Sequence, residues 1–393
     1  MNARAFQILW IALILIGVQA TPGHAQPATS SAMSSRPVYL PAKTKGGELT
    51  IIETIPVLKV SGTPEQIGAQ IGELGARNAR ELYGYPKDFL DQFGSRYASA
   101  FAWPMMMSWA RDMLPMFPEH HLREMNACAE ASGFDREVFV AANTMFDIKK
   151  MVACSTLYVS GERSETGGPM LGRNLDFPTL GYLQKYSMVS IVEQPGKHTF
   201  ASVGFPGLIG VLSGMNDAGL ALAVLEVYSS KDGSPKFEKS GTPYALCFRR
   251  LLEECTTVDE ALKTLREMKR TTYVNLAIAD RTTGAVFEIT PKQVVRREPE
   301  DGLLSCTNHF RTEELGTRLQ RGGRRYRALE EARSRAKLGT EAVWDRLDAA
   351  NAGSLTLQSM IFEPKTLRLH LAFGECPSTQ QPRRTIELKP LFE

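Results

Sequence analysis

The spacing of hydrophobic and polar residues divides this chain into a helical first part and a mixed second part. A strand is predicted over 51–60. The run Thr63-Pro64-Glu65-Gln66 then has the composition of a helix start: an N-cap residue, a proline at the first helical position and a glutamine three residues after the cap. A helical period, interrupted by prolines, continues from there to Lys150. We therefore expect a mainly helical segment before residue 154.

Beyond this segment, short apolar stretches rich in β-branched and aromatic residues replace the helical period. They predict strands over 154–159, 170–175, 186–192, 199–203, 208–213, 220–227, 273–279, 285–290 and 303–306, with a final hairpin within 354–373. Helices are predicted over 242–254, 258–268, 324–336 and 341–350. Sheets with paired helices between them favour an α+β layered domain.

The N-terminal residues have the order of an export signal. Arg4 supplies the positive charge, an apolar run occupies 5–17, and small residues follow, with cleavage expected after Ala20 or Ala25. The apolar run is short for a membrane span, although an uncleaved anchor is the alternative. Together with the periodicity, this divides the chain into a signal peptide (1–25), a flexible leader (26–48), a mainly helical segment (49–153) and a domain of mixed strands and helices (154–393). No stable membrane anchor is expected, and the mature protein should be periplasmic or secreted.

Composition narrows the function classes. The chain has 393 residues, of which 43% are hydrophobic and 23% charged, as in soluble globular proteins. A net charge of only +3 gives no support to a nucleic-acid partner. None of the six cysteines forms a Cys-x-x-Cys pair, and only His309 is close to a cysteine in sequence, so a zinc site is unsupported. No metal or cofactor is expected for the chemistry described below. If Cys154 is catalytic, five cysteines remain, and at least one is unpaired within the chain.

The candidate chemistry lies around Cys154. This cysteine opens one predicted strand, the residues 165–168 predict a hairpin turn, and the next strand carries Arg173 and Asp176. Such a hairpin places a thiol, a guanidinium and a carboxylate at one end of a sheet. A thiol becomes a strong nucleophile when cationic neighbours favour its thiolate.

Cys154 and the motifs at 172–176, 214–220 and 306–310 together resemble the N-terminal nucleophile hydrolases. More narrowly, the chain resembles the penicillin acyltransferase-type cysteine peptidase family, whose relatives include choloylglycine hydrolase, acid ceramidase and N-acylethanolamine acid amidase. The resemblance runs from about residue 55 to the C-terminus. It implies a four-layer αββα sandwich. It also implies that the precursor cuts itself between Ala153 and Cys154, which frees the α-amine of Cys154.

The resemblance gives each candidate residue an expected role. Arg173 would lower the pKa of the thiol, and Asp176 would accept a hydrogen bond from the new α-ammonium group. Asn308 matches the residue that stabilises the oxyanion. Glu226 matches a polar site residue that either pairs with Arg173 or touches the substrate.

The residues before Tyr326 match a family arginine, either Arg324 or Arg325, and Arg325 is the one we assign to substrate binding. Because the freed amine would serve as general base, with a reference pKa of about 7.7–8.0, no catalytic histidine is required. We expect His120 and His121 to be surface residues.

These features together predict an exported, self-processing enzyme that hydrolyses or transfers the acyl group of a small N-acyl substrate through a Cys154 thioester. The two pieces of the cut chain should remain associated, and a homo-oligomer is left open. A non-catalytic periplasmic binding protein with the same fold and a peptidase are the alternatives.

The leader gives the first testable prediction. We expect the mature protein to be recovered outside the cytoplasm with an N-terminus at Thr21 or Gln26, because the charged, apolar and small residues follow one another in the order of an export signal. Cell fractionation and N-terminal sequencing would check this. Full-length protein in the cytosol with Met1 retained would contradict it.

Overall fold

A computed structural model describes residues 37–93, 96–148, 150, 153–317 and 323–393. The predicted signal peptide lies outside the described residues. Within the part that the structure describes, two β-sheets contain sixteen strands. Their bounds are β1 Ala42–Thr44, β2 Gly47–Ile52, β3 Ile55–Ser61, β4 Ala153–Val159, β5 Met170–Asp176, β6 Met188–Glu193, β7 Phe200–Gly204, β8 Ser213–Asn216, β9 Ala221–Glu226, β10 Val274–Ala279, β11 Gly284–Ile289, β12 Val294–Arg297, β13 Leu303–Cys306, β14 Thr356–Glu363, β15 Arg368–Phe373 and β16 Arg384–Glu387.

The first sheet has ten strands in the order β1-β2-β3-β6-β7-β8-β9-β10-β11-β12, and the second has six in the order β13-β4-β5-β14-β15-β16. Neighbouring strands are antiparallel except for the parallel pair β3 and β6. Since β3 precedes residue 154 and β6 follows it, the predicted cleavage would leave one sheet built from both pieces of the chain.

The helices cover the outer faces of the sheets and fill the segment before residue 150. Their bounds are α1 Pro64–Gln70, α2 Tyr85–Phe93, α3 Arg96–Met113, α4 Glu119–Ser132, α5 Arg136–Ile148, α6 Tyr244–Glu254, α7 Val258–Glu267, α8 Arg324–Glu330, α9 Thr340–Ala349 and α10 Lys389–Phe392. The predicted cap of α1 is present, because Thr63 and Gln66 form a reciprocal capping box.

Alternation along the strands separates two hydrophobic layers. On β4, Cys154 and Tyr158 belong to the large core, which includes the space between the sheets, whereas Leu157 and Val159 belong to a smaller core beneath α8 and α9. Helices α6 and α7 pack on the other side, against the ten-stranded sheet. The order of layers is helix, sheet, sheet, helix. This confirms the predicted αββα sandwich.

Two strand predictions were wrong. The single strand expected over 51–60 is a hairpin, because Glu53 and Thr54 adopt left-handed backbone angles, with φ of 50° and 78°, and turn the chain. The strand expected over 208–213 is mostly a loop. Its backbone is bound by a side chain instead of a neighbouring strand, since Asn143 Oδ1 accepts from the backbone N–H of Ile209 at 2.8 Å. A hydrophobic run alone could not show that partner.

Two further observations concern membrane-spanning helices and the cysteines. No helix among the described residues is long and apolar enough to cross a bilayer. All six cysteines are free, and only Cys376 is not fully buried.

Candidate active site

Cys154 is the second residue of β4, and its side chain points between the two sheets. It is fully buried. The register of the β4–β5 hairpin pairs Ala153 with Asp176, Cys154 with Leu175 and Thr156 with Arg173. The hairpin predicted from the sequence therefore brings the thiol, the guanidinium and the carboxylate to one end of the six-stranded sheet.

The guanidinium of Arg173 spans the space between the sheets. Its Nη1 donates to Cys154 Sγ at 3.2 Å and to the carbonyl oxygen of Val224 at 2.8 Å, and its Nε donates to Ser213 Oγ at 2.8 Å. The first partner lies on the six-stranded sheet, and the other two lie on the ten-stranded sheet. Because these contacts fix the guanidinium from both sides, the position of the sulfur is tied to the packing of the sheets.

Two other residues of the same motif, Gly172 and Asn174, contribute to packing rather than to the site. Asn174 points to the outer face of β5, where its Nδ2 donates to the carbonyl oxygen of Leu347 in α9 at 2.7 Å. Gly172 lies on that face too, and a Cβ there would come within 2.9 Å of Val343 Cγ1. The motif thus combines one inward-facing site residue with two residues that let α9 pack closely.

The backbone of Cys154 is held on both sides. Its N–H donates to Asn308 Oδ1 at 2.7 Å, and its carbonyl oxygen accepts from Arg325 Nη1 at 2.6 Å. Arg325 Nη2 also donates to Asn308 Oδ1, at 2.9 Å, and its Nη1 lies 3.2 Å from Asp176 Oδ2. One guanidinium therefore connects three of the predicted site residues.

The structure distinguishes the two candidate arginines. Arg324 points away from the thiol and donates to the carbonyl oxygens of Ala349 and Asn351 at 2.9 and 2.6 Å. Arg325 is therefore the arginine that contacts the site.

Asp176 and Asn308 have partners that differ from those the sequence suggested. In the uncut chain, Asp176 accepts from Thr356 Oγ1 at 2.6 Å and from Arg325, whereas the backbone N–H of Cys154 donates to Asn308. The Nδ2 of Asn308 donates to the carbonyl oxygen of Glu226 at 2.9 Å. The sequence gave no indication of Thr356, which lies 180 residues after Asp176.

Glu226 ends β9 beside the site and is fully buried. Its Oε1 accepts a hydrogen bond from the hydroxyl of Tyr244 at 3.2 Å. Arg173, one of the partners suggested by the sequence, instead uses Cys154, Ser213 and Val224 as acceptors.

Burial controls the electrostatics of the thiol in the uncut chain. Loss of hydration raises the pKa of Cys154 to about 11, although Arg173 and Arg325 act in the opposite direction. The predicted effect of Arg173 is therefore present, but burial outweighs it. The sulfur is a neutral thiol at neutral pH until the site changes.

A second polar cluster lies far from Cys154 in sequence. His121 is fully buried, so its predicted surface position is wrong. The donor atoms of His120, His121 and Glu253 lie within 4.8 Å of one another, which is close enough to hold a metal ion. Arg249 Nε already donates to Glu253 Oε1 at 2.7 Å, and Arg249 also binds Glu124 through both terminal nitrogens. These contacts account for the cluster as a buried ion-pair network.

Comparison with known protein families identifies the family of this chain. Residues 163–375 match the family described as acyl-coenzyme A:6-aminopenicillanic acid acyl-transferase. The chain belongs to this family. The membership confirms the resemblance seen in the sequence.

One curated relative matches part of the chain. An uncharacterized protein of Archaeoglobus fulgidus is 24% identical over 195 residues, which are 42% of this chain and 31% of that protein. The chain thus matches about a third of the length of this curated relative.

Among solved structures, an ortholog of N-acylethanolamine-hydrolyzing acid amidase from Caenorhabditis elegans has 16% identity and a TM-score of 0.45, covering 59% of this chain and 100% of that one. A mutant of the conjugated bile acid hydrolase of Clostridium perfringens has 14% identity and a TM-score of 0.44, covering 60% and 93%. Penicillin V acylase of Agrobacterium tumefaciens has 17% identity and a TM-score of 0.40, covering 60% and 86%.

The two adjacent arginines provide a matched pair of variants. We expect Arg325→Met to slow both self-cleavage and turnover about 10- to 100-fold, because hydrogen bonds from a charged donor are worth about 1.5–3 kcal/mol. Arg324→Met should have little effect, since its contacts are with α9 and the loop that follows. Gel analysis of the cut fraction and an amidase assay would measure both. Equal behaviour of the two variants would contradict the placement of Arg325.

The pKa of Asp176 predicts a pH dependence. Burial raises the pKa of this carboxyl to about 6, against the effects of Thr356 and Arg325. We expect activity to fall as pH drops through about 6, because protonation removes the charge that holds Arg325. A raised pKa in the folded state favours folding at low pH, so this loss should precede unfolding.

Asp176→Asn should fold and lose most activity over the whole range. The limb near pH 6 should be absent, and only the limb set by protonation of the α-amine should remain. A pH–rate profile combined with thermal denaturation measures both effects. Near-normal turnover in the cut Asp176→Asn protein would show that the carboxylate is only structural.

Proposed function

We propose that this protein is an exported, self-processing N-acyl amide hydrolase or acyltransferase that acts through a Cys154 thioester. The observation that carries the proposal is the contact of Cys154 Sγ with Arg173 Nη1 at 3.2 Å, beside a backbone N–H that is bound by Asn308. After cleavage, the same nitrogen would be a free amine next to the sulfur. Nucleophile and base then belong to one residue.

The proposed self-cleavage uses atoms that are already adjacent. The Cys154 sulfur attacks the carbonyl carbon of Ala153, the C–N bond breaks, and the thiol proton passes to the new α-amino group. Water then hydrolyses the thioester, which leaves a carboxyl group on Ala153 and restores the thiol. The carbonyl oxygen of Cys154 stays bound by Arg325, so the nucleophile would keep its place on β4.

Turnover of a substrate would follow the same course. The α-amine takes the thiol proton as sulfur attacks the acyl carbon, and the leaving amine receives that proton. The acyl group then passes from sulfur to water in hydrolysis or to a second amine in acyl transfer. Arg173 would support negative charge on the sulfur. The Nδ2 of Asn308, which donates to the carbonyl oxygen of Glu226 in the uncut chain, would turn to the developing oxyanion.

An apolar cavity beyond the end of β5 supports a hydrophobic acyl group in the substrate. Its walls include Tyr85, Met145, Phe146, Phe177, Leu183 and Phe205. Phe177 directly follows Asp176, the strand partner of Ala153, so one wall of the cavity begins at the cleavage site. Cavities lined mainly by hydrophobic and aromatic side chains bind small molecules in many proteins.

Buried contacts between the two pieces support their continued association. Arg249 in α6 binds Glu124 in α4 at 2.8 and 2.6 Å, and both side chains are 1% exposed. Strand β3 pairs with β6 across the same division. Cutting at Ala153 would interrupt neither set of contacts.

Replacing the nucleophile tests the mechanism. Cys154→Ala should leave one uncut, inactive chain, because neither the sulfur nor the freed amine forms. Wild-type protein should run as two associated pieces of roughly 14 kDa (residues 26–153) and roughly 27 kDa (residues 154–393), as the total mass and signal removal imply. Sequencing of the larger piece should begin Cys-Ser-Thr-Leu-Tyr. Cys255→Ala, another buried cysteine, is the matched control and should be cut normally.

A substrate panel then separates the remaining alternatives. Cut protein should release the acyl group from at least one of N-acyl amino acids, acyl-homoserine lactones or β-lactams. Cleavage of short peptides alone would favour a peptidase, and binding without turnover would favour a binding protein. An active wild-type enzyme in which Ala153 is still joined to Cys154 would remove the proposed general base and refute the mechanism.

A further inference from the structure

A buried charged cluster lies just upstream of the proposed cleavage bond. Lys150 is four residues before Cys154, and its ammonium group donates a hydrogen bond to the carbonyl oxygen of Tyr273. The following residue, Val274, pairs with Glu226 across strands β10 and β9. Lys150 is therefore attached to the sheet beside Glu226, the last residue of β9.

Two carboxylates, those of Asp147 and Glu226, act electrostatically on this ammonium group. Asp147 is 2% exposed and Glu226 is fully buried. Tyr244 connects them, because its backbone N–H donates to Asp147 Oδ1 at 3.0 Å and its hydroxyl donates to Glu226 Oε1 at 3.2 Å. Asp147 Oδ2 is buried without a hydrogen-bond partner. Lys150 provides a positive charge near both of these side chains.

Burial and the neighbouring groups shift the pKa values of Lys150 and Asp147. Burial lowers the pKa of Lys150 to about 8, while Glu226 and Asp147 raise it, so the ammonium form is the main one at neutral pH. Burial raises the pKa of Asp147 to about 7, and Thr271 and the backbone of Tyr244 oppose this rise.

Cys154, on the downstream side of the cleavage bond, is also held beside Glu226. Asn308 accepts from the N–H of Cys154 and donates to the carbonyl oxygen of Glu226. Lys150 and Cys154 are four residues apart in sequence, a separation that spans at most about 14 Å. Lys150 is held by Tyr273, just before β10, and Cys154 is held through Asn308 by Glu226, at the end of β9. The carbonyl of Ala153 is thereby restricted in the positions it can take relative to the sulfur.

We propose that Lys150 is a positioning residue for self-cleavage, anchoring the upstream side of the Ala153–Cys154 bond through its hydrogen bond to the carbonyl of Tyr273, beside Glu226. This inference rests on the proposed self-cleavage. Lys150 takes no part in bond making or proton transfer. Its contribution is to keep the carbonyl carbon within reach of Cys154 Sγ, where small displacements of reacting atoms lower rates strongly.

The test measures the rate of self-cleavage rather than its end point. Labelled precursor is made by cell-free translation, translation is stopped, and the cut fraction is followed on gels. We expect Lys150→Met to slow cleavage at least about 10-fold, as misplacement of reacting groups commonly does. Lys150→Arg should retain most of the rate, since a guanidinium can donate to the same carbonyl. Lys365→Met is the matched control, because Lys365 also donates to a backbone carbonyl, that of Gly167 at 2.9 Å, on the exposed surface.

Chemical rescue separates positioning from a general loss of structure. In Lys150→Ala, added n-butylammonium should raise the cleavage rate in a saturable manner by filling the vacated cation site. Thermal denaturation of the same variant is recorded alongside. Wild-type cleavage rates in Lys150→Met, or slow cleavage that neither arginine nor butylammonium restores, would overturn the inference. If wild-type precursor itself remains uncut, the proposed function fails first, so the two failures are distinguishable.

Discussion

A buried guanidinium fixes the thiol and the two sheets in one arrangement. Arg173 is fully buried, and its hydrogen-bond acceptors are a sulfur, a hydroxyl and a backbone carbonyl. Its Nη2 has no hydrogen-bond partner among the described residues. Burying a cation with neutral acceptors is unfavourable, and any negative charge that develops on the adjacent sulfur relieves this. The same contact that joins the sheets therefore favours the thiolate as soon as the site is hydrated or the α-amine can take the proton.

The sequence was sufficient to predict elements whose partners lie close by along the chain. The hairpin from Cys154 to Asp176 was predictable because a turn and two apolar strands follow one another directly, and the register then places Arg173 beside the thiol. Asp176 and Thr356 show the limit, since these residues meet only when β14 pairs with β5. The choice between Arg324 and Arg325 was similarly open, because it depends on which face of α8 points toward β4.

Other features were missed because burial cannot be read from residue type. His121 is polar and lies in a helix with many charged neighbours, yet it faces Glu253 in the interior. Lys150 ends a helical period at which an exposed lysine would be ordinary. In both cases the deciding contacts come from segments more than 100 residues away. Side chains that compensate buried charge are recognisable only once the packed partners are known.

The proposed cut is placed so that it can occur only late in folding. Ala153 and Cys154 lie at the start of a central strand, between β13 and β5, and the groups that hold the bond come from β5, the end of β9 and α8. These elements are far apart along the chain and meet only in the assembled sandwich. A chain that had not reached this state would lack the geometry for the reaction. Cleavage would then occur only in folded chains, so the presence of two pieces would identify molecules whose interior has assembled.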